Sequence, residues 1–378
     1  MNSIYKLAKS VLFRFTPEQA HHIILSNLDW ATQLGAQKLV TRSFPENPIE
    51  IMGLRFPNCV GLAAGMDKDG EHVTAFGALG FGSVEIGTVT PKGQPGNPKP
   101  RLFRLIPDEA IINRMGFNNV GAIQVAKNLQ SARAFRNRGG ILGINIGKNK
   151  VTPNSEALSD YKKCMDRLYT SGDYIAINIS SPNTPNLRDL QADAELDKLL
   201  LGIAEHRQRL ADENDGKIVP IAVKIAPDLS DDGVKHALDI IVKHGMNGVI
   251  CTNTTISREP VEHSPLAKET GGLSGKPLMA RSTEVTAEER RHAQRALSMM
   301  MNIQWKSNYF EAIDPKEARR ILDEELYGME PVKQRIIETI IQINRTHTLP
   351  AYGILLVGPA NHRLHMLLRE FFVFHGLH

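Results

Sequence analysis

Apolar residues in this chain recur in short runs separated by longer stretches with helical spacing, from about residue 58 to 283. The runs predict strands at Val60–Ala64, Ser83–Val89, Ile141–Ile146, Tyr174–Ile179, Ile218–Ile225 and Gly248–Thr252. Helical patterns lie between them at Asn119–Arg136, Asp160–Ser171, Ala192–Ala211 and Ser230–His244. Strands that alternate with helices pair in parallel, because a parallel neighbour is reached only through a crossover. Each run ends in polar or glycine-rich residues: Gly65-Met66-Asp67-Lys68, Thr88, Asn145, Asn178, Lys224 and Asn253-Thr254. Polar residues at the carboxyl ends of successive strands favour a (β/α)₈ (TIM) barrel over a doubly wound sheet, which would gather its ligand at one switch point. The fold class expected is therefore α/β, a barrel. Six strands are counted, two short of a closed one.

After Ser282-Thr283-Glu284 the pattern changes. Thr286-Ala287-Glu288-Glu289 reads as a capping box that opens a helix to about Met301. Asp314-Pro315-Lys316-Glu317 opens a second helix that ends near Gly328, and a third runs from about Pro331 to Asn344. Only Tyr352–Val357 then reads as a strand. The organisation expected is a helical segment over 1–45, an incomplete barrel over 46–284, and a mostly helical appendage over 285–378.

Composition narrows the class. At 42% hydrophobic and 23% charged, the 378 residues form a folded chain, not a disordered one. The net charge of +4 is small for this length and gives no argument for a nucleic-acid partner. Cys59, Cys164 and Cys251 lie far apart without metal-ligand spacing, as in a reduced interior protein. No run reaches the length of a membrane span, and no secretory signal is recognisable at the start.

The richest stretch is Asn178-Ile179-Ser180-Ser181-Pro182-Asn183-Thr184-Pro185, which follows the apolar run Tyr174-Ile175-Ala176-Ile177. It sets hydroxyls and amides on a proline-stiffened loop at the end of a core strand. With Asn113 and Asn253, Asn178 and Asn183 would form a ring of neutral amides, each with one acceptor and two donors. Such a ring suits a ligand with imide edges, such as a pyrimidine. A single asparagine at such a place is more often a loop cap; four in a repeating pattern are harder to explain that way. Lys68 and Lys224 follow or end apolar strands, where a cation is costly unless it meets an anion or snorkels to the rim.

These residues lie within motifs that resemble the quinone-linked (class 2) dihydroorotate dehydrogenases over residues 1–284. The motifs are Gly61–Gly70, Glu85–Pro91, Asn113–Asn119, Gly143–Lys150, Asn178–Pro185, Ala222–Asp228, Thr252–Thr255 and Gly271–Pro277. The resemblance implies an FMN enzyme of pyrimidine synthesis that oxidises dihydroorotate to orotate and passes electrons to a membrane quinone. It implies that Ser181 is the catalytic base. Lys68, Asn113, Arg114, Met115, Gly116, Phe117, Asn183, Asn253 and Thr254 would bind substrate. Ala64, Gly65, Met66, Asp67, Lys68, Thr88, Asn145, Asn178, Lys224, Thr252 and Gly275 would bind the cofactor, and no metal is implied. Residues 1–45, with Tyr5, Leu7, Leu12, Phe13, Phe15, Ile23, Ile24 and Leu28 beside Lys6, Lys9 and Arg14, would be a hood on the cytoplasmic side of the cell membrane. His21 and Arg104 would stand near the quinone path.

The family continues past Glu284 with two more strands, whose turns hold the flavin phosphate, and neither turn motif is present here. Weak or absent turnover is therefore expected. From about 290 to 360 the chain resembles instead the segment before the nucleotide loop of Lon-like AAA+ proteases, clearest in Ile321–Met329 and Val332–Glu338. A working loop needs Gly-Lys-Ser/Thr, and Asn361-His362-Arg363 stands there. His362, His365, His375 and His378 have no acidic or cysteine partner nearby and read as solvated tail residues.

Overall fold

Alternation of side chains along β-strands puts one face of a sheet against helices and the other against the barrel interior. That division is visible in a computed structural model, which describes residues 9–35, 47–287 and 314–325, with scattered positions to Ile341. The chain divides into two compact units, Met1–Glu289 and Arg290–His378.

In the first unit the strands are β1 (Ile49–Ile51), β2 (Leu54–Phe56), β3 (Gly61–Leu62), β4 (Ser83–Val89), β5 (Leu102–Leu105), β6 (Ala110–Asn113), β7 (Ile141–Ile146), β8 (Tyr174–Asn178), β9 (Ile221–Lys224), β10 (Gly248–Ile250) and β11 (Gly272–Gly275). β3, β4, β7, β8, β9 and β10 form one six-stranded sheet, in chain order and parallel throughout. This is six-eighths of a TIM-like barrel, with no seventh or eighth strand among the described residues. The six strands expected between residues 58 and 283 are present, with β3 trimmed to two residues and β9 and β10 shorter than expected.

The outer face of this sheet is apolar. Val84, Ile86, Leu142, Ile144, Ile146, Ile175, Ile177, Ile221 and Val223 are fully buried against helices Ala157–Leu168, Asp193–Asp212 and Asp231–Lys243. Each such side chain contributes about 1.5–3 kcal/mol on burial. The inner face carries Glu85, Gly143, Asn145, Tyr174, Ala176, Asn178, Ala222 and Lys224, with Ile141 packed against Tyr174 and Ala176. Met52, Leu54 and Phe56 of the β1–β2 hairpin pack under Tyr174 and Ala176 and close the lower end.

Three expectations are corrected. Asn113 is not at a barrel strand end: it closes β6 of a separate antiparallel sheet ordered β11-β6-β5. These strands are short and half-exposed, so they leave no apolar run to read. The helix expected over Asn119–Arg136 is broken into Ala122–Asn128, a 3₁₀ turn Leu129–Ala132 and Arg133–Arg136. Thr286 opens no helix, because residues 279–287 are already helical and its hydroxyl donates back to the carbonyl of Ser282 at 2.8 Å.

Helix Pro17–Gln33 begins with a true capping box between Thr16 and Gln19. It is tied to the barrel by Glu18, which accepts from Arg101 at 2.7 Å, and by Asp29, 2.8 Å from His72. In the second unit, helix Pro315–Glu325 starts as expected, with the Asp314 carboxylate accepting the N–H of Lys316 at 2.9 Å. Tyr5, Leu7, the Pro331–Asn344 helix as a whole, Tyr352–Val357 and the tail histidines lie outside the described residues.

Candidate active site

At the upper end of the inner face the amides form one connected layer. Thr88 donates to Asn145 Oδ1 at 2.6 Å, and Asn178 Nδ2 donates to Thr88 Oγ1 at 2.8 Å and to Asn145 Oδ1 at 3.1 Å. Asn178 Oδ1 accepts from the N–H and hydroxyl of Ser180 and, at 3.4 Å, from Asn253 Nδ2. Asn145, Asn178 and Thr88 are all buried. Lys224 pairs with Asn178 in register and so lies beside it on the same face. It is 9% exposed and has no hydrogen bond or ion pair with other described residues, as suits a cation reserved for an anionic ligand.

The loop after β8 carries Ser181, which is buried and whose Oγ accepts the backbone N–H of Asn183 at 3.2 Å. Asn183 Nδ2 reaches Asn113 Oδ1 at 3.3 Å, joining this loop to the antiparallel sheet. Asn97 stitches the same two segments, donating to the carbonyls of Arg114 at 3.0 Å and Asn183 at 3.4 Å. Arg114 is held by Glu269 at 2.7 Å and lies over the Phe103 ring. Met115 takes the N–H of Asn97 on its carbonyl, and Gln94 Nε2 donates to the carbonyls of Gly116 and Phe117. Gly116 has φ +76°, and a side chain there would strike Asn97.

On the other side, Lys68 donates to Asn118 Oδ1. Desolvation, with Arg101 nearby, pulls the Lys68 ammonium down to about 8, while Asp69 and Glu18 push it the other way. Gly65 has φ +111°, and an added Cβ would meet no atom within 4 Å, which leaves an open cradle between Ala64 and Met66. The Asp67 carboxylate accepts from the Glu71 and His72 N–H groups at 3.0 and 2.9 Å, and its carbonyl accepts the N–H of Gly87 at 3.3 Å. Thr252 Oγ1 reaches Ser282 at 3.4 Å, and the backbone of Thr254 is held by Asn253 and Arg188. Gly275 lies at the end of β11 against Ala110 and Glu109, and no hydrogen bond joins it to the amide layer among the described residues.

Small inner-face residues, an open glycine turn and an unpaired lysine fit a flat, polar, anionic ring system such as a flavin. The model of the dihydroorotate dehydrogenase family matches residues 48–300. The chain belongs to the dihydroorotate dehydrogenase family. A dihydroorotate dehydrogenase (quinone) of Teredinibacter turnerae is 54% identical over 297 residues, 79% of this chain and 86% of that protein. One of Akkermansia muciniphila is 52% identical over 283 residues, 75% of this chain and 80% of that protein. A crystal structure of the enzyme from Eimeria tenella in complex with ferulenol superposes with a TM-score of 0.66 at 40% identity, covering 73% of this chain and 77% of that one.

Within this dehydrogenase scaffold the sequence reading missed two residues. Arg188 donates to the carbonyls of Ser180 at 2.9 Å and Thr254 at 2.7 Å while paired with Asp228, so it clamps the serine loop to the β10 end. Thr184 Oγ1 is buried with no hydrogen-bond partner among the described residues. Both stand within or just after the Asn178–Pro185 run, but adjacency in sequence does not say which way a side chain points.

Proposed function

We propose that this chain oxidises dihydroorotate to orotate with FMN as its flavin and a membrane quinone as acceptor. The carrying observation is the single layer in which Thr88, Asn145, Asn178, Ser180 and Asn253 are hydrogen-bonded together beside Lys224. The flavin supplies, when bound, the acceptor for the substrate hydride and the route to quinone. Ser181 removes the substrate proton, its oxygen aided by the Asn183 N–H as negative charge grows. Asn113, Asn183, Asn253 and Thr254 orient the pyrimidine amides, with Arg114, Met115, Gly116 and Phe117 shaping the loop over them. Lys68 meets the substrate carboxylate. Ala64 to Lys68, Thr88, Asn145, Asn178, Lys224, Thr252 and Gly275 hold the flavin. Lys224 would supply a positive charge beside the flavin.

The helical segment supports peripheral attachment on the cytoplasmic side of the membrane. Phe13, Phe15, Ile23, Ile24, Trp30 and Leu34 are exposed there, with Lys9 and Arg104 close to the Phe13 ring. No helix among the described residues is long and apolar enough to cross a membrane. For residues 290–360 we propose a Lon-like AAA+ fragment without nucleotide chemistry, on the sequence pattern alone; nucleotide retained in a filter assay would refute it.

The described sheet offers no seventh or eighth strand to grip a flavin phosphate, so turnover is expected well below that of a full-length relative. A second reading follows from the same observation: a scaffold that binds without turnover. Purified chain decides between them. Flavin absorbance at about 450 nm with reduction of a quinone analogue by dihydroorotate supports the enzyme. Colourless protein with no reduction supports the scaffold.

A further inference from the structure

We propose that Glu85, seated on Tyr174 beneath the amide layer, is a positioning residue that fixes which way the flavin-facing amides point. The inference rests on the flavin reading above. Glu85, Gly143 and Tyr174 occupy one register row across β4, β7 and β8. The glycine in the middle is a structural necessity: a Cβ on Gly143 would lie 2.2 Å from Cζ and 2.4 Å from the hydroxyl of Tyr174. Its absence lets the phenol ring cross the strand and donate to Glu85 Oε2 at 2.8 Å. Burial, and then the neighbouring Glu85, push the Tyr174 phenol well above its usual range, so it stays a donor.

The other carboxylate oxygen, Oε1, accepts from Asn145 Nδ2 at 2.9 Å. A carboxylate can only accept, whereas amides and hydroxyls can both give and take. Asn145 must therefore turn its NH₂ downward to Glu85 and its carbonyl upward to Thr88 and Asn178. At the other end the backbone N–H of Ser180 donates to Asn178 Oδ1, which turns the Asn178 NH₂ back toward Asn145. The two one-way groups agree. If Asn145 flipped, two NH₂ groups would face each other in a buried layer, and both would lose partners. Glu85 is 6% exposed and is placed to hold the layer from below, on the side away from the loops.

The test uses the full chain, flavin-free and ¹⁵N-labelled at asparagine, with the Asn145 and Asn178 side-chain signals assigned by their loss in Asn145→Asp and Asn178→Asp. Glu85→Gln presents an amide that can sit either way up. It is expected to speed hydrogen exchange at both NH₂ groups about tenfold, the equivalent of one buried hydrogen bond. It is also expected to weaken FMN binding, read by flavin fluorescence quenching, by about the same factor. Tyr174→Phe removes one of Glu85's two donors and keeps the ring. It is expected to speed exchange at Asn145, and it serves if Glu85→Gln does not fold. Exchange unchanged at Asn178 in Glu85→Gln, or unchanged at Asn145 in Tyr174→Phe, overturns the inference. If the wild-type chain takes up no FMN while both amides respond, the flavin reading falls and the positioning role stands.

Discussion

The backbone N–H of Asn183 points at the hydroxyl oxygen of Ser181, 3.2 Å away. A serine is a poor base, and a fixed donor on its oxygen favours the form that has lost its proton. Replacing Ser181 with alanine is therefore expected to slow flavin reduction by dihydroorotate by about 10²–10⁴. Orotate affinity should change by less than about threefold, because orotate binding draws on the amides instead. Stopped-flow reduction beside an orotate titration makes the comparison. Equal losses in both would remove Ser181 from the base role.

Lys68 sits where desolvation weighs against its charge. Its ammonium is pulled to about 8 by desolvation, so the free protein loses this charge at a pH far below an ordinary lysine's. Below pH 8 the cation is present and attracts the substrate carboxylate. Above it, orotate affinity should fall, approaching about tenfold per pH unit as the neutral form dominates. The effect on folding has the opposite sign. The folded pKa is depressed, so the protein binds fewer protons at this site than the unfolded chain does between about 8 and 10.5, and stability rises with pH through that window. Orotate titrations from pH 6.5 to 10 check the first statement. Lys68→Ala should flatten the curve, and a flat wild-type curve would refute the assignment.

Arg188 makes three contacts at once, to Ser180, Thr254 and Asp228. Lysine cannot reproduce that planar fork. Arg188→Lys is expected to raise the KM for dihydroorotate about tenfold, the cost of one charge-assisted hydrogen bond to the substrate-facing loops. The FMN dissociation constant should move less, since Arg188 holds backbone carbonyls of the loops and not the Thr88, Asn145 and Asn178 side chains. A larger effect on flavin than on substrate would place the clamp elsewhere.

Much of this was legible because physical need leaves marks in sequence. β4 and β7 were read to the residue, since a face packed against helices demands Val84, Ile86, Leu142, Ile144 and Ile146. The inner face was legible only as an excess of polarity at strand ends. Asn113 belongs to an element the pattern does not reveal, because β6 alternates buried and exposed positions over only four residues. Contacts across great sequence separation left no mark. Lys68 with Asn118, and Glu85 with Tyr174, depend on register and on the space opened by Gly143. Thr286 misled because a capping-box pattern that falls within a turn already helical spells the same letters as one at a helix start.

Glu18 joins the N-terminal helix to the barrel through a buried pair with Arg101, with Lys99 at 3.3 Å. Burial raises its pKa, but the two cations together outweigh this and leave it below the usual carboxylate value. A depressed folded pKa contributes stability that is fully present above the unfolded value of 4.5 and is lost as pH falls through the folded one. Acidification below pH 4.5 is therefore expected to loosen helix Pro17–Gln33 before the parallel sheet. At neutral pH, Glu18→Gln should do the same by removing a charged partner worth about 1.5–3 kcal/mol. Hydrogen exchange by mass spectrometry reads both: peptides from residues 17–33 should exchange at least tenfold faster, while peptides covering β7 hold their rates. Equal acceleration in the two regions would mean that Glu18 supports the whole unit and not the attachment of this helix.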